Sequence, residues 1–341
     1  TQKGYPVTIA TSRLTSETFR QPLITQKDGV KIKHLKSLNG LEELIRRNDI
    51  VHVQLTFSLR PAAMAAMEIC QKLGKRFFVT LHTNITHIPF SALANLNPLE
   101  KEQLLNKAKT FLCSELTTII APSPTIKDSF TKLGIEKELK VIRPGIELER
   151  IKNFKDGMFT PCDLLTIGEV SLMKGLNYLI DALKILEKEE SKIKLRIVGD
   201  GPDVSLLKRQ AEVFGFSDNI EFSGYIPHDE IFGMINSGKI LVQPSLTEVC
   251  PTVVLEALAL KKAVVASDLS GLAEVLGFGK YGVLFKTGNA ASLAEKISQL
   301  LQNKDLREEL GVRGQKYVFK NFSIEKQVYS LTKVYTEFKK L

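Results

Sequence analysis

Two glutamates, Glu248 and Glu256, have the residue type and setting to bind a polyhydroxylated ligand. Glu256 is the only charged residue in the twelve positions from Val249 to Leu260 (VCPTVVLEALAL), and a carboxylate in such an apolar run needs a partner. Its two oxygens can each accept a hydrogen bond from one of two vicinal hydroxyls, as in a ribose diol. A buried structural ion pair explains Glu256 equally well, and both interpretations stay open on spacing alone.

The elements around these glutamates would place both at one edge of a sheet. Lys239–Ser245 (KILVQPS) has the composition of a buried strand, and Pro251 suits the first turn of the helix that follows. Glu248 would then lie in the loop after the strand, and Glu256 about one turn inside the helix. Ligands of open α/β sheets bind in the crevice at the carboxyl ends of the strands.

Composition predicts a globular protein of two domains, with 341 residues, 43% hydrophobic and 25% charged. No apolar stretch approaches the roughly 20 residues that span a bilayer, and no signal-peptide pattern opens the chain, so we expect a cytoplasmic protein. The cysteines form no CxxC pair, which predicts neither a zinc site nor a disulfide framework. They are Cys70, Cys113, Cys162 and Cys250.

The net charge of +9 is concentrated in the first half of the chain. Residues 1–150 contain 22 Lys/Arg and 14 Asp/Glu, whereas residues 151–341 contain 25 and 24. A basic face attracts an anionic substrate, a membrane surface or nucleic acid, although each cluster taken alone favours a solvated surface. One such cluster comprises Lys27, Lys31, Lys33, His34 and Lys36, and another Lys72, Lys75 and Arg76.

Strand-like runs alternate with helical stretches almost throughout, which predicts an α/β fold of parallel βαβ units. The polar segment Glu147–Thr160 lacks clear periodicity and is interpreted as an interdomain connection. We expect Rossmann-like domains at 1–146 and 147–322, facing each other across a cleft, and a helix at 323–341 that returns to the first domain. The opening TQKGYPVTIATS is typical of the end of a first helix followed by a second strand. The first strand is therefore expected to be missing, as in a truncated or incomplete chain.

Several motifs, in order and spacing, resemble those of the retaining glycosyltransferases of family 4 (glycosyl transferases group 1), which have the GT-B fold. The most specific is Pro244–Leu276 (PSLTEVCPTVVLEALALKKAVVASDLSGLAEVL), which is similar to the family's E-x7-E signature, with Glu248 and Glu256 as its acids. Supporting motifs are IGEVSLMKG, IVGDGPDVSLLK and IEFSGYIP, and the first half contains VTLHT and KVIRPGIE. The resemblance covers nearly the whole chain.

The resemblance implies a site for a nucleotide-sugar donor. Cleavage of the donor leaves negative charge on the diphosphate, where the family's phosphate lysine matches Lys174. Glu248 matches the acid near the donor sugar, and Glu256 the ribose-binding carboxylate. The expected donor-binding residues are Gly168, Glu169, Lys174, Ile226, Glu248, Pro251, Thr252, Val253 and Glu256. Glu248, Lys174 and His82 are expected to be catalytic, with no metal and no cofactor besides the donor substrate.

His82, in VTLHT, matches a histidine of members that glycosylate lipids or phosphorylated acceptors. It can hydrogen-bond an acceptor phosphate, or it can simply cap the sheet. His52 is expected to be a satisfied core residue, and His34, His87 and His228 give little signal.

Glu169 departs from the family pattern, because it follows Gly168 where an arginine is common. A carboxylate beside two phosphates should weaken donor binding unless it points away and another cation substitutes. An inactive homologue that binds a nucleotide or nucleotide-sugar is therefore an alternative function. A dinucleotide-dependent oxidoreductase is disfavoured, since VGDGP lacks the G-x-G-x-x-G spacing.

The sequence thus predicts a retaining hexosyltransferase that uses a donor such as UDP-glucose or GDP-mannose. The basic first half fits an anionic acceptor, a lipid or a phosphorylated compound, with peripheral association at the inner face of a membrane. A soluble acceptor stays open, and no nucleic-acid partner is expected.

Overall fold

A computed structural model of the chain describes residues 8–12, 26–27, 30–35, 39–55, 61–82, 97–126, 130–131, 134–154, 159–187 and 193–339. The chain forms two compact units. The first comprises Thr1–Ala121 and Lys127–Lys140, and the second Pro122–Ile126 and Val141–Leu341. The predicted absence of a first strand, the side chains of the early basic cluster, and His87 all lie outside the described residues.

The described residues of the first unit form two sheets. Its strands are β1 (Thr8–Ser12), β2 (Gln26–Lys27), β3 (Val30–Leu35), β4 (His52–Leu55), β5 (Phe77–Leu81), β6 (Thr117–Ala121) and β7 (Leu139–Val141), which ends in the second unit. Its helices are α1 (Asn39–Arg47), α2 (Pro61–Lys72) and α3 (Pro98–Cys113). The sheet orders are β1-β3-β2 and β4-β5-β6-β7, with β4, β5 and β6 parallel. Buried Phe77, Phe78 and Val79 make β5 apolar on both faces, as expected of an internal parallel strand.

The second unit is built on a six-stranded parallel sheet of order β10-β9-β8-β11-β12-β13. The strands are β8 (Cys162–Ile167), β9 (Leu195–Val198), β10 (Ile220–Gly224), β11 (Gly238–Gln243), β12 (Ala263–Ser267) and β13 (Val283–Phe285). The chain builds outward from β8 to β10 and then returns to add β11 on the opposite side of β8. The point between β8 and β11 is therefore the topological switch point, where sheets of this kind bind ligands.

Helices cover both faces of this sheet. They are α4 (Leu148–Lys152), α5 (Leu176–Leu186), α6 (Val204–Val213), α7 (Ile231–Ser237), α8 (Thr252–Ala259), α9 (Ser270–Val275), α10 (Ala290–Gln302), α11 (Lys304–Asn321) and α12 (Ile324–Lys339). Alternate strand residues enter opposite cores: Val242 and Val265 pack with α5, α6 and α10, whereas Leu241 and Val264 pack with α4, α7, α8, α9 and α11. The predicted α/β fold with two parallel-sheet domains is confirmed.

Helix α4 differs from the irregular connection predicted for Glu147–Thr160. Leu148 and Ile151 are buried in the core under α8, and this packing stabilises the short helix. Five residues span little more than one turn, so the segment carries no detectable helical periodicity. The final helix, α12, is part of the second unit.

Candidate functional site at the switch point

The loops after β8 and β11 are packed directly against each other. Gly175 has φ of 65°, and a Cβ there would lie 2.0 Å from the carbonyl oxygen of Pro244. The Leu246 amide donates a hydrogen bond of 2.9 Å to the Met173 carbonyl. Only glycine allows this backbone conformation and approach, so Gly175 brings the turn that ends at Lys174 against the loop that carries Glu248.

Lys174 and Glu248 form an ion pair at this contact. Lys174 Nζ donates to Glu248 Oε2 at 2.6 Å, and the two side chains are 24% and 15% exposed. Gln243 Nε2 donates to Ser245 Oγ at 2.9 Å, and Ser245 Oγ lies 3.5 Å from the same Glu248 oxygen. A buried polar chain from the end of β11 thus helps to orient the carboxylate that Lys174 neutralises.

A small pocket opens beside this pair at the ends of β8, β9 and β11. It is lined by Thr166, Ile167, Gly168, Glu169, Lys174, Leu176, Ile197, Val198 and Gln243. Gln243 is buried, and its Oε1 has no hydrogen-bond partner among the described residues. Glu169 is exposed, and its carboxylate makes no ion pair within that same part of the chain. The pocket therefore combines a lysine, a carboxylate and an unused amide oxygen.

Glu256 lies inside α8 in a different electrostatic setting. It is only 6% exposed, and the Nε2 of His228, a side chain that is charged only when protonated, lies 3.6 Å from Glu256 Oε1. Burial raises the pKa of Glu256, and the charges of His228 and Arg150 partly oppose the rise. Arg150 itself donates to Glu147 at 2.9 Å and to Asp229 at 2.6 Å. A structural ion pair with a buried Lys or Arg is not found for Glu256 within the described residues.

The loop between the two glutamates ends in the start of α8. Pro251 occupies the N-cap position, with φ of −72°, and the following amides of Thr252 and Val253 are among those that a helix leaves without internal acceptors. Burial raises the pKa of the Cys250 thiol to about 12, which keeps it protonated and unsuited to nucleophilic attack. Ile226, after β10, is half-buried against the core under α8.

His82 lies in the first unit, at the end of β5. Its Nε2 is 2.5 Å from the Gln54 Oε1, and desolvation lowers the pKa of His82. His52 Nε2 is 2.6 Å from Thr80 Oγ1, and burial, reinforced by His82, lowers the pKa of His52 to about 4. Both rings are therefore neutral near pH 7. The proposed contact of His82 with an acceptor stays a prediction.

Helix α9 packs against the loop between Glu248 and α8. A Cβ on Gly271 would lie 2.1 Å from the Val249 carbonyl oxygen, so the first turn of α9 packs on the loop backbone. The Glu274 carboxylate accepts hydrogen bonds from Arg143, at 2.9 Å, and from the Ser123 hydroxyl. These contacts attach the loop after Glu248 to two further segments of the second unit.

Family comparison fits this arrangement. Residues 150–317 match the model for glycosyl transferases group 1, and residues 1–150 match the model for glycosyltransferase family 4. The chain belongs to the group 1 glycosyltransferases. An uncharacterized glycosyltransferase of Methanocaldococcus jannaschii is 29% identical over 321 residues, which cover 90% of this chain and 84% of that protein.

Two relatives with named activities match less completely. The alpha-monoglucosyldiacylglycerol synthase of Streptococcus pneumoniae is 26% identical over 70% of this chain and 56% of its own length. The alpha-D-kanosaminyltransferase of Streptomyces kanamyceticus is 26% identical over 51% of this chain and 45% of its own length. The chain thus spans about half the length of these relatives.

Solved structures establish the fold of this glycosyltransferase. Sucrose-phosphate synthase from Thermosynechococcus elongatus superposes with a TM-score of 0.78, at 18% identity, over 99% of this chain and 90% of its own. Anabaena HepE in complex with UDP-glucose gives 0.74, at 18% identity, over 92% and 87%. The predicted GT-B fold is confirmed.

Sequence reasoning missed three polar residues of the site. Gln243 is the last residue of β11 and Ser245 lies just beyond it, and polar residues at that position face the ligand crevice of such sheets. His228 gives little signal by itself, although only three residues separate it from the strand-like IEFSG, so that it falls at the same edge of the sheet. Its contact with Glu256 could not be read from spacing.

Within the described ranges, no helix is long and apolar enough to cross a membrane. In the same residues, no three His, Cys, Asp or Glu side chains converge as metal ligands would. The expectation that the reaction needs no metal stays a prediction.

Proposed function

We propose that this glycosyltransferase transfers a hexose from a nucleotide-diphosphate sugar to an acceptor with retention of configuration, and that the donor binds at the switch point of the second unit. The observation that carries the proposal is the 2.6 Å pair between Lys174 and Glu248. It joins a cation and a carboxylate from two different loops at the position where sheets of this order bind ligands. UDP in a structural neighbour of the same fold, HepE, supports a nucleotide donor.

The chemistry of transfer assigns a role to each member of the pair. The bond between the anomeric carbon and the phosphate oxygen breaks, and negative charge develops on the departing nucleoside diphosphate. The Lys174 ammonium would stabilise that charge, whereas Glu248 would accept hydrogen bonds from sugar hydroxyls and stabilise positive charge on the ring. The acceptor oxygen attacks the anomeric carbon from the same face, and its proton passes to the departing phosphate. Retention follows without a second enzymic carboxylate acting as nucleophile.

Glu256 supports the assignment of a nucleoside subsite. The Glu256 carboxylate is 6% exposed and lies 3.6 Å from the His228 imidazole, so it has unused capacity to accept hydrogen bonds. Two vicinal ribose hydroxyls would supply the donors that the described residues do not. Thr252 and Val253, at the start of α8, would offer amides to the distal phosphate or the sugar.

For the acceptor we propose a phosphorylated compound or an anionic lipid, reached at the inner face of a membrane. The excess positive charge of residues 1–150 favours an anionic partner. A relative that matches 70% of this chain is named a synthase of a glucosylated diacylglycerol, which supports a lipid. His82, as a neutral ring, would donate or accept a hydrogen bond at such an acceptor.

The alternative is a homologue that binds nucleotide-sugars without turnover. Exposed Glu169 lines the pocket that contains Lys174, and a carboxylate there opposes a diphosphate. Binding without release of free nucleotide and sugar or of a glycosylated product would favour this alternative.

Calorimetry and thermal shift with UDP-glucose and GDP-mannose, in buffer containing EDTA, test the proposal. We expect saturable binding of one donor, a loss of at least tenfold in affinity in Lys174→Ala, and no loss in Lys184→Ala. Lys184 is a matched control because it lies on α5, is half-exposed and pairs with Glu187 at 2.6 Å, away from the pocket. Failure of both donors to bind, or equal losses in the two variants, would refute the proposed site.

A further inference from the structure

His228 lies over the buried carboxylate of Glu256 although most of its ring is in solvent. The side chain is 63% exposed, and its Nε2 is 3.6 Å from Glu256 Oε1. It opens the 3-10 turn His228–Glu230 that follows β10, directly after Pro227. The edge of its ring packs on Phe232, with centroids 6.1 Å apart and planes inclined by 70°. An exposed ring with these restraints is held in place above Glu256.

Among the described side chains around Glu256, His228 is the one available to interact with its carboxylate. Arg150, the other nearby cation, is engaged by Glu147 and Asp229, and its guanidinium lies 5.5 Å from the centre of the Phe232 ring. No other side chain in the described ranges donates a hydrogen bond to Glu256. The carboxylate is thus buried beside one solvent-facing imidazole, with acceptor capacity left over.

The separation of 3.6 Å is too long for a good hydrogen bond between the ring and the carboxylate. A hydroxyl group placed beside them can bridge the two, because it can accept a hydrogen bond from an imidazole N–H while it donates one to a carboxylate. A ribose has two such hydroxyls on adjacent carbons. The solvent-facing ring and the buried oxygens therefore form two sides of a site for a diol.

We propose that His228 is a ribose-binding residue of the donor site, acting with Glu256 to select ribonucleotides over 2′-deoxyribonucleotides. The inference rests on the proposed nucleotide-sugar donor, and it adds a specificity determinant to that site. Glu256 accepts from the diol, His228 donates to it, and the loss of the 2′-hydroxyl removes a group that the pair would otherwise satisfy. The expected discrimination is about tenfold or more, as for sites that hydrogen-bond a substrate hydroxyl.

The test compares affinities for UDP and GDP and for their 2′-deoxy counterparts by calorimetry. For the ribonucleotide that wild-type protein binds more tightly, His228→Leu should lose about tenfold in affinity. Its affinity for the 2′-deoxy counterpart should stay within about twofold, and His228→Gln, which retains an N–H donor, should recover part of the discrimination. Glu230→Gln, in the same turn, is the matched control and should behave as wild type. Melting temperatures establish that each variant is folded.

The possible results distinguish a failure of the role of His228 from a failure of the proposed nucleotide-sugar site. Equal losses for both nucleotides in His228→Leu, or an unchanged ratio of the two affinities, would overturn the role of His228 while leaving a nucleotide site in place. Wild-type protein that binds neither UDP nor GDP would overturn the donor site and this inference together. We expect the ratio of ribonucleotide to 2′-deoxyribonucleotide affinity to fall towards one in His228→Leu and to be partly restored in His228→Gln. A purely structural residue would not alter the discrimination between two ligands.

Discussion

Glu248 and Glu256 lie on one loop and helix but in opposite electrostatic situations. Glu248 is neutralised within the protein by Lys174 at 2.6 Å, and the buried side chains of Gln243 and Ser245 lie behind it. Glu256 is more deeply buried, yet its partner is the solvent-facing imidazole of His228, whose Nε2 lies 3.6 Å from Glu256 Oε1. Burial raises the pKa of Glu256 because its partners do not compensate for the lost water.

We therefore expect the Glu248 carboxylate, with its counterion, to favour the folded state, and the charged Glu256 carboxylate to oppose it. A paired charge is retained by its partner, whereas a buried charge without a close partner costs stability. A residue that costs stability and still lies at a ligand crevice is best explained by a ligand that completes it. The contrast favours the ribose interpretation of Glu256 over a structural ion pair.

The largest expected effect comes from breaking the Glu248 pair. Lys174→Met should lower the free energy of unfolding by about 2 kcal/mol, because it leaves Glu248 without its counterion. The double variant Lys174→Met with Glu248→Gln should recover most of this loss, since no uncompensated charge remains. Urea unfolding of the full chain measures both, with Lys184→Met as the exposed control. A double variant as unstable as Lys174→Met would show that the pair is not the source of the loss.

A smaller effect of opposite sign is expected for Glu256→Gln. Removing the charge should raise the free energy of unfolding by about 1 kcal/mol at neutral pH and weaken nucleotide binding about tenfold. The stability difference has a defined pH dependence, because the folded state holds the proton of Glu256 above its ordinary pKa of 4.5. Below pH 4.5 Glu256 is protonated in both the folded and the unfolded state, so wild type and Glu256→Gln should have the same free energy of unfolding. As pH rises through the folded pKa, wild type should lose stability relative to the variant.

Unfolding curves of wild type and Glu256→Gln from acid to neutral pH measure this difference, and calorimetry with the bound nucleotide measures the affinity. Glu248→Gln is the informative control, since it should lose stability where Glu256→Gln gains it. A loss of stability in both variants would place Glu256 in a structural ion pair. An unchanged nucleotide affinity in Glu256→Gln would remove it from the donor site.

The smallest effect concerns Glu169, the acidic residue at the pocket. Glu169→Arg should strengthen binding of the donor several-fold, because a repulsion with the diphosphate is replaced by an attraction. The gain should shrink as salt is added, since exposed charges are screened. Glu187→Arg makes the same change of charge at the other end of α5, about 15 Å away, and should leave the affinity unchanged. Equal affinities in Glu169→Arg and wild type would mean that Glu169 is directed away from the phosphates.

Local pattern was enough for most of the second unit. The apolar residues after Gly175 recur at helical spacing, and this pattern predicts the helix α5, which spans Leu176–Leu186. The short helix α4 was missed, since its two buried residues cannot define a period. The pair Gln243 and Ser245 was also missed, because their hydrogen bond depends on how the end of β11 meets the following loop.

The sequence by itself determined the α/β class, the two-domain order and the presence of two acids eight residues apart, because these follow from periodicity, composition and local spacing. Only the tertiary structure determined which charged and titratable side chains lie in contact. Lys174 and Glu248 are 74 residues apart, and they touch because parallel strands β8 and β11 are neighbours whose loops leave the same edge of the sheet. His228 meets Glu256 because α7 and α8 pack in one core. Strand order and helix packing are properties of the whole fold, and they are not encoded in any one segment.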